Sequence, residues 1–216
     1  LQDYADDAVS VVKWLRKQKS VDPKRVAVIG RAEGAAAALL AAARAGGDVA
    51  AVGLLSGPGM SGAEYVLAQQ AQALATSNDT PEVKAVKVQL QTRIIEAVKS
   101  GKGWETVPPA MRQQADTLWF KSWIEFDPAA TMKKVDQPLL VAQGTRDTEY
   151  PPQHAERLEL LALARKSKNA SVRKVLFPGL NHLLVPATTG AVTEYATLPS
   201  RAIPADVPDA IAEWLR

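Results

Sequence analysis

The chain of 216 residues is long enough for one domain with a sizeable core, and its 47% apolar and 23% charged residues are typical of a globular protein. Because it has no cysteine and only two histidines, disulfides, thiol catalysis and thiolate metal sites are excluded, and neither a metal nor another cofactor is expected. The net charge of +3 comes from basic and acidic residues spread along the chain, so no nucleic-acid partner is expected.

The first predicted element is an amphipathic helix over residues 3–18. Apolar side chains such as Val12 and Leu15 form one stripe, with aspartates early in the segment and lysines and arginine late, as suits the helix dipole. Asp22 and Pro23 follow this segment and favour a turn. The helix therefore leads directly into the first predicted strand.

A short β-branched run followed by an alanine-rich run organises the chain. Residues 25–30 predict a buried strand and residues 32–44 a buried helix, with Gly30 and Gly34 on either side of the turn. A strand that turns directly into a helix needs small residues there, because backbone and side chains crowd together. This is the geometry of the nucleophile elbow G-x-S-x-G, and Ala32 stands where that elbow has its serine.

Three more strands alternate with helical segments, which predicts an α/β fold with a parallel sheet and helices on both faces. These strands are expected at 49–55, 138–143 and 172–177. Between the second and third of them the strand pattern stops, and residues 60–126 predict helices at 64–75, 83–98 and 111–126. We interpret 60–126 as a helical insertion that covers the carboxyl edge of the sheet as a lid. Its aromatic side chains either pack onto the parent domain or line a pocket.

Three chemically matched positions follow three of the predicted strands, namely Ala32, Asp147 and His182. The carboxyl ends of parallel strands share one edge of a sheet, where sites form. The order nucleophile position, acid, histidine is the one found in α/β-hydrolases. His154, at a predicted helix start, is interpreted as a surface histidine. Ser56 does not lie in an elbow frame and offers no replacement nucleophile.

At these positions the chain resembles the C-terminal part of a bacterial α/β-hydrolase of the dienelactone hydrolase and prolyl-oligopeptidase (S9)-like group. The segments that carry the resemblance are Asp-Pro-Lys-Arg-Val-Ala-Val-Ile-Gly-Arg-Ala-Glu-Gly at 22–34, Leu-Leu-Ser-Gly-Pro-Gly at 54–59, Gly-Thr-Arg-Asp at 144–147 and Pro-Gly-Leu-Asn-His at 178–182. The resemblance implies that residues 1–216 form one partial α/β-hydrolase domain with the lid at 60–126 inside it.

The resemblance also implies a Ser-Asp-His hydrolase that acts on a carboxylic ester or peptide bond. In such a site His182 would be the general base, held by Asp147 through its Nδ1–H group. Asp147 is favoured over Glu149 because it comes sooner after the strand. The backbone N–H of Glu33, next to the nucleophile position, would be one oxyanion donor.

Two departures from the family pattern predict that the chain is inactive as written. Ala32 has no nucleophilic atom, and losing a triad nucleophile leaves only binding and oxyanion contributions. The family's sheet also has strands before the elbow strand, one of whose loops supplies the second oxyanion donor, whereas this sequence begins one helix before the elbow. We therefore expect a fragment, a processed chain or half of a split assembly, completed by upstream residues or by another chain.

Two hypotheses remain open from the sequence. One is a hydrolase for a small ester or peptide whose nucleophile was recently lost or replaced by design. The other is a natural pseudohydrolase kept as a binding or structural subunit. Because Asp147 and His182 are both retained, the first is favoured. No apolar run is long enough to span a membrane, and the sequence assigns no compartment.

Overall fold

The computed structural model describes residues 1–167 and 171–216. The chain divides into two compact units. One, called the sheet unit here, comprises Leu1–Gly59 and Pro128–Arg216, and the other, called the helical unit, comprises Met60–Asp127. Within the described residues, none of the helices combines the length and the apolar character needed to cross a membrane.

The sheet unit contains a parallel four-stranded sheet in the order β1-β2-β3-β4. The strands are β1 (Ala27–Arg31), β2 (Ala51–Leu55), β3 (Leu139–Gly144) and β4 (Val172–Phe177). All four predicted strands and their parallel arrangement are therefore confirmed. Crossover segments that return the chain to the same end of the sheet make each pair parallel, so the loops after the strands meet at one edge.

Helices lie on both faces of this sheet. They are α1 (Gln2–Leu15), α2 (Glu33–Ala45), α7 (Pro128–Met132), α8 (Gln153–Leu163) and α9 (Asp206–Trp214). Leu54 lies near α2 and α8, because a Cβ built on Gly57 would contact Ala35, Leu158 and Leu54 together. The next residue, Leu55, points to the other face and belongs to an apolar cluster that includes Val207 of α9.

Alanine lets α2 pack closely against the strands. Its buried residues are Ala35, Ala36, Ala37, Ala38, Leu39, Ala41 and Ala42. Small side chains on this face bring the helix axis near the sheet, and α2 contacts both β1 and β2. The predicted helix at 32–44 is confirmed within one residue at each end, whereas the predicted first helix ends earlier than residue 18, at Leu15.

In the part of the chain that the structure describes, β1 pairs with β2 alone and is an edge strand. Its residues are half-buried or exposed, and Ile29 is 39% exposed. Edge strands with exposed apolar side chains are liable to pair with another strand. The outer edge of β1 is thus the least protected part of the described sheet.

The helical unit has its own core. Its helices are α3 (Gly62–Ala75), α4 (Pro81–Ser100), α5 (Pro109–Ala115) and α6 (Leu118–Ile124). Ile94 and Val98 of α4, Trp104 and Ile124 belong to one buried cluster. The predicted helical character of this stretch is confirmed, while its position over the sheet edge as a lid stays a prediction.

The prediction of a single helix over 111–126 in this unit is wrong. The stretch 111–126 does not form a single helix but is interrupted between α5 and α6. Thr117 adopts an extended conformation, and its hydroxyl accepts a hydrogen bond from the backbone N–H of Phe120. A threonine that caps a new helix stops the preceding one, which the apolar periodicity alone did not reveal.

Candidate active site

The turn between β1 and α2 is a strand–turn–helix elbow. Ala32 has φ 54° and ψ −122°, a strained conformation for a residue with a Cβ, and α2 begins at the next residue. A Cβ on Gly30 would overlap the carbonyl oxygen of Gly34, so steric crowding excludes any larger residue at position 30. The N–H of Ala32 donates to the carbonyl oxygen of Leu55 at 2.9 Å, which anchors the elbow to β2.

Glu33 is the first residue of α2, so its backbone N–H lies at the N-terminus of the helix. The partial positive charge of the helix N-terminus favours an anion at this place. This N–H group directly follows position 32 in the chain.

The acid loop, residues 145–150, follows β3 and holds Asp147, which is 2% exposed. One carboxylate oxygen of Asp147, Oδ1, accepts the backbone N–H groups of Glu149 at 3.0 Å and Tyr150 at 2.8 Å. The other, Oδ2, faces Nδ1 of His182 at 3.0 Å and Nε2 of Gln143 at 3.4 Å. These four contacts fix the orientation of the carboxylate toward the histidine.

The histidine loop, residues 178–186, follows β4 and closes on itself. Oδ1 of Asn181 accepts the backbone N–H groups of Leu183 at 2.9 Å and Val185 at 3.3 Å. His182 is 5% exposed, with Nδ1 directed at Asp147. An ionised carboxylate only accepts hydrogen bonds, so this contact makes Nδ1 of His182 the donor to Asp147 and leaves Nε2 directed away from it.

The elbow and the histidine loop are in direct contact. The guanidinium of Arg31, the residue before Ala32, donates through Nη1 to the backbone carbonyl oxygen of His182 at 3.0 Å. The structure thus brings together the strand end that carries Ala32 and the Asp147–His182 pair. Ser56, at the end of β2, has φ 44° but leads into a loop, not into a helix.

Three residues near this pair were not singled out from the sequence. Gln143 is fully buried and donates through Nε2 to the carbonyl oxygen of Tyr150 as well as facing Asp147. The ring of Tyr150 lies 5.4 Å from that of His182. Arg31 makes the contact just described. A polar residue at the end of an otherwise apolar strand was the signal that could have revealed Gln143.

The prediction that His154 is a surface histidine is wrong. It is 5% exposed, and its Nδ1 accepts the backbone N–H of Gly59 at 2.9 Å. Its ring also makes an edge contact with Tyr150 at 5.2 Å. His154 lies on the face of α8 that also buries Ala155 and Leu158, and this burial lowers its pKa to about 4.

His154 therefore predicts a pH dependence of stability. Since its pKa is about 4 when folded and 6.5 in a model peptide, the unfolded state binds the extra proton between these values. Stability should be independent of this group above pH 6.5 and fall by about 2–3 kcal/mol as the pH drops toward 4. Urea unfolding of the unaltered chain and His154→Gln at several pH values measures this. The Gln variant keeps an acceptor for Gly59 and should have a smaller slope; equal slopes would contradict the assignment.

A segment at residues 187–197 closes over the acid loop. The hydroxyl of Thr148 donates to the carbonyl oxygen of Gly190 at 2.9 Å, and the hydroxyl of Tyr195 donates to Oε1 of Glu149 at 2.7 Å. Burial and this hydrogen bond raise the pKa of Tyr195. Glu194 accepts hydrogen bonds from the hydroxyl of Thr189 and nearby backbone N–H groups, which lower its pKa to about 2.

The Asp147–His182 pair thus lies at the same edge of the sheet as the elbow and the N-terminus of α2. Among the described residues, no group of three or more His, Cys, Asp or Glu side chains is placed to hold a metal ion. An imidazole held by a carboxylate beside a helix N-terminus is suited to acyl transfer, if a nucleophile stands at position 32.

The fold is similar to those of several solved structures. Porphyromonas gingivalis dipeptidyl peptidase 4 superimposes with a TM-score of 0.53 at 12% identity, over 98% of this chain and 22% of that one. DcsB, solved with a substrate analogue, gives 0.53 at 20% identity, over 98% of this chain and 71% of that one. Rv0554 from Mycobacterium tuberculosis superimposes with a TM-score of 0.50 at 16% identity, over 97% of this chain and 70% of that one. The chain thus spans about a fifth of the first of these proteins.

Sequence comparison narrows the family. No curated protein sequence matches the chain. The sequence model of the X-Pro dipeptidyl-peptidase (S15) family matches residues 1–177, which include the elbow and Asp147 and end before His182. The predicted α/β-hydrolase superfamily is confirmed, while the narrower resemblance to dienelactone hydrolases stays a prediction. The chain therefore belongs to the X-Pro dipeptidyl-peptidase (S15) family and carries a hydrolase-type domain of the α/β-hydrolase fold.

Proposed function

We propose that this chain carries a serine-hydrolase-type site for carboxylic ester or peptide bonds, with position 32 as its nucleophile position. The observation that carries the proposal is the 3.0 Å contact between Nδ1 of His182 and Asp147, in a loop that is bonded to the residue before Ala32. An acid–histidine pair beside an elbow is the arrangement that activates a hydroxyl group for attack on a carbonyl carbon.

Each residue has a role in this proposal. Nε2 of His182 takes the proton from a nucleophile at position 32 and returns it to the leaving group, while Asp147 holds the imidazole in the Nδ1–H tautomer. The N–H of Glu33 donates to the oxyanion of the tetrahedral intermediate. As written the site lacks the attacking oxygen, because Ala32 ends in a methyl group. Removal of a nucleophile of this kind costs about a millionfold in kcat in a protease where it was measured.

A binding or structural role as a natural pseudohydrolase is the second candidate. The observation that favours it is Ala32 itself, which retains the strained φ of 54° although it offers no reactive atom. A strained elbow next to an intact acid–histidine pair would serve to bind an ester or peptide without cleaving it.

We further propose that another strand pairs with the outer edge of β1, supplied either by residues upstream of Leu1 or by another chain. The partly exposed Ile29 on this edge strand supports this. The second oxyanion donor would come from the added segment. The helical unit would act as a lid within a single hydrolase domain that spans 1–216, and its fit would set which ester or peptide enters.

The experiment that tests the proposed function is ester hydrolysis by the full-length protein with Ala32→Ser. Activity that depends on His182 supports the hydrolase site. If the variant binds esters or peptides but its hydrolysis does not depend on His182, the pseudohydrolase role replaces it.

A further inference from the structure

The histidine loop and the elbow follow strands at opposite edges of the sheet. The loop follows β4, at the opposite edge of the sheet from β1, and three strand spacings separate these edges, about 14 Å. The imidazole of His182 must nevertheless reach the elbow at the end of β1. Its contact with Asp147 ties it to β3 only, so a further contact is needed to fix the loop against the elbow.

Arg31 supplies such a contact. Its Nη1 donates to the backbone carbonyl oxygen of His182 at 3.0 Å, across 151 positions of sequence. The acceptor belongs to a residue that is 5% exposed, so water competes weakly for it. A cationic donor to a partly buried acceptor makes a stronger hydrogen bond than a neutral one.

We propose that Arg31 is a positioning residue, whose guanidinium holds the histidine loop so that the His182 imidazole faces position 32. The effect of Arg31 on catalysis rests on the proposed function, whereas its effect on the position of the histidine loop does not. Since Arg31 and Ala32 are consecutive, one backbone segment places both the nucleophile position and the group that fixes its base. Displacement of a catalytic group by about 1 Å costs about a hundredfold in rate, so a single contact of this kind matters.

The charges around Arg31 do not offer a simpler role. Glu149 and Tyr195 lie on the same side of the site. Arg31 is near enough to lower the pKa of Tyr195, but burial and the contact with Glu149 raise that pKa by more. With the carboxylates of Asp147 and Glu149 nearby, this is not a strongly cationic surface that would select an anionic substrate. The contact with His182 is therefore the role that the structure favours.

The test begins on the unaltered full-length protein, which needs no activity. Its two histidines give two pairs of imidazole nitrogen signals by NMR, and buried His154 serves as an internal control. We expect Arg31→Met to raise the exchange rate of the His182 Nδ1 proton about tenfold or more, while His154 is unchanged. Arg31→Lys, which can still donate, should recover most of the protection. Arg44→Met, which removes a distant surface arginine of α2, should have no effect on His182.

The second measurement uses Ala32→Ser as the starting protein. Arg31→Met should lower kcat about 10- to 100-fold at nearly constant KM, for neutral and for carboxylate-bearing esters alike. A loss confined to carboxylate-bearing esters would make Arg31 a substrate-binding residue and overturn the proposal. So would unchanged exchange of the His182 proton, or an Arg31→Lys variant as impaired as Arg31→Met. If Ala32→Ser is inactive, the proposed function fails, and the NMR comparison still decides the role of Arg31.

Discussion

Replacement of Ala32 by serine in the full-length protein is expected to create ester hydrolysis about a thousandfold above that of the Ala32→Ser/His182→Ala double variant. The added hydroxyl would stand on the elbow, while the imidazole that activates it is already held by Asp147 at 3.0 Å. The serine supplies the attacking oxygen, and the segment that pairs with β1 in the full-length protein supplies the second oxyanion donor. Initial rates with activated esters of short and medium acyl chains measure it.

The controls separate catalysis from background reactivity. Ala32→Ser/Asp147→Asn should lose about a thousandfold or more, because an asparagine favours the wrong histidine tautomer. The unaltered protein should give the same rate as the buffer. If Ala32→Ser gains hydrolysis that survives both the His182 and the Asp147 substitutions, the hydroxyl reacts by itself, and the proposed triad is contradicted.

The second large effect concerns the two glycines of the elbow, Gly30 and Gly34, which differ in how closely other atoms approach them. Gly30→Ala should destabilise the fold by about 3 kcal/mol or more, because its Cβ would overlap the Gly34 carbonyl oxygen and lie 2.7 Å from the backbone nitrogen of Ala35. Backbone atoms cannot rotate away as a side chain can. Urea unfolding of each variant, monitored by tryptophan fluorescence, gives the free energies of unfolding.

Gly34→Ala is the matched control for Gly30→Ala. A Cβ on Gly34 would have no atom within 4 Å, and the residue lies in α2. Alanine is the better helix former, so this variant should be neutral or more stable by up to about 1 kcal/mol. Equal destabilisation by the two substitutions would show that the crowding at the elbow has been assigned to the wrong glycine.

Much of the sheet unit could be predicted from the sequence because its signals are local. Runs of apolar residues such as the one at Leu139 predict the strands, and the spacing of Gly30 and Gly34 predicts the elbow. A topological rule that sends the ends of parallel strands to one edge placed Asp147 and His182 on the same edge, and the family resemblance implied their pairing. The structure brings these two side chains into contact as expected.

The features that the sequence did not reveal depend on tertiary packing. His154 follows two prolines at a helix start, and contacts with Gly59 and Tyr150 accompany its burial. The break before Thr117 depends on a cap that competes with a continuous apolar pattern. The role of Arg31 requires two segments 151 positions apart to meet, and no local pattern encodes that contact. Long-range contacts of this kind are set by the whole fold.

The most direct measurement is a crystal structure of the full-length Ala32→Ser protein after reaction with a phosphonate ester. We expect phosphorus to be bonded to the side-chain oxygen at position 32, with Nε2 of His182 within about 3.2 Å of that oxygen. A phosphonyl oxygen should lie within about 3.1 Å of the backbone nitrogen of Glu33. A His182 imidazole turned away from position 32, or a phosphonate bound elsewhere, would contradict it.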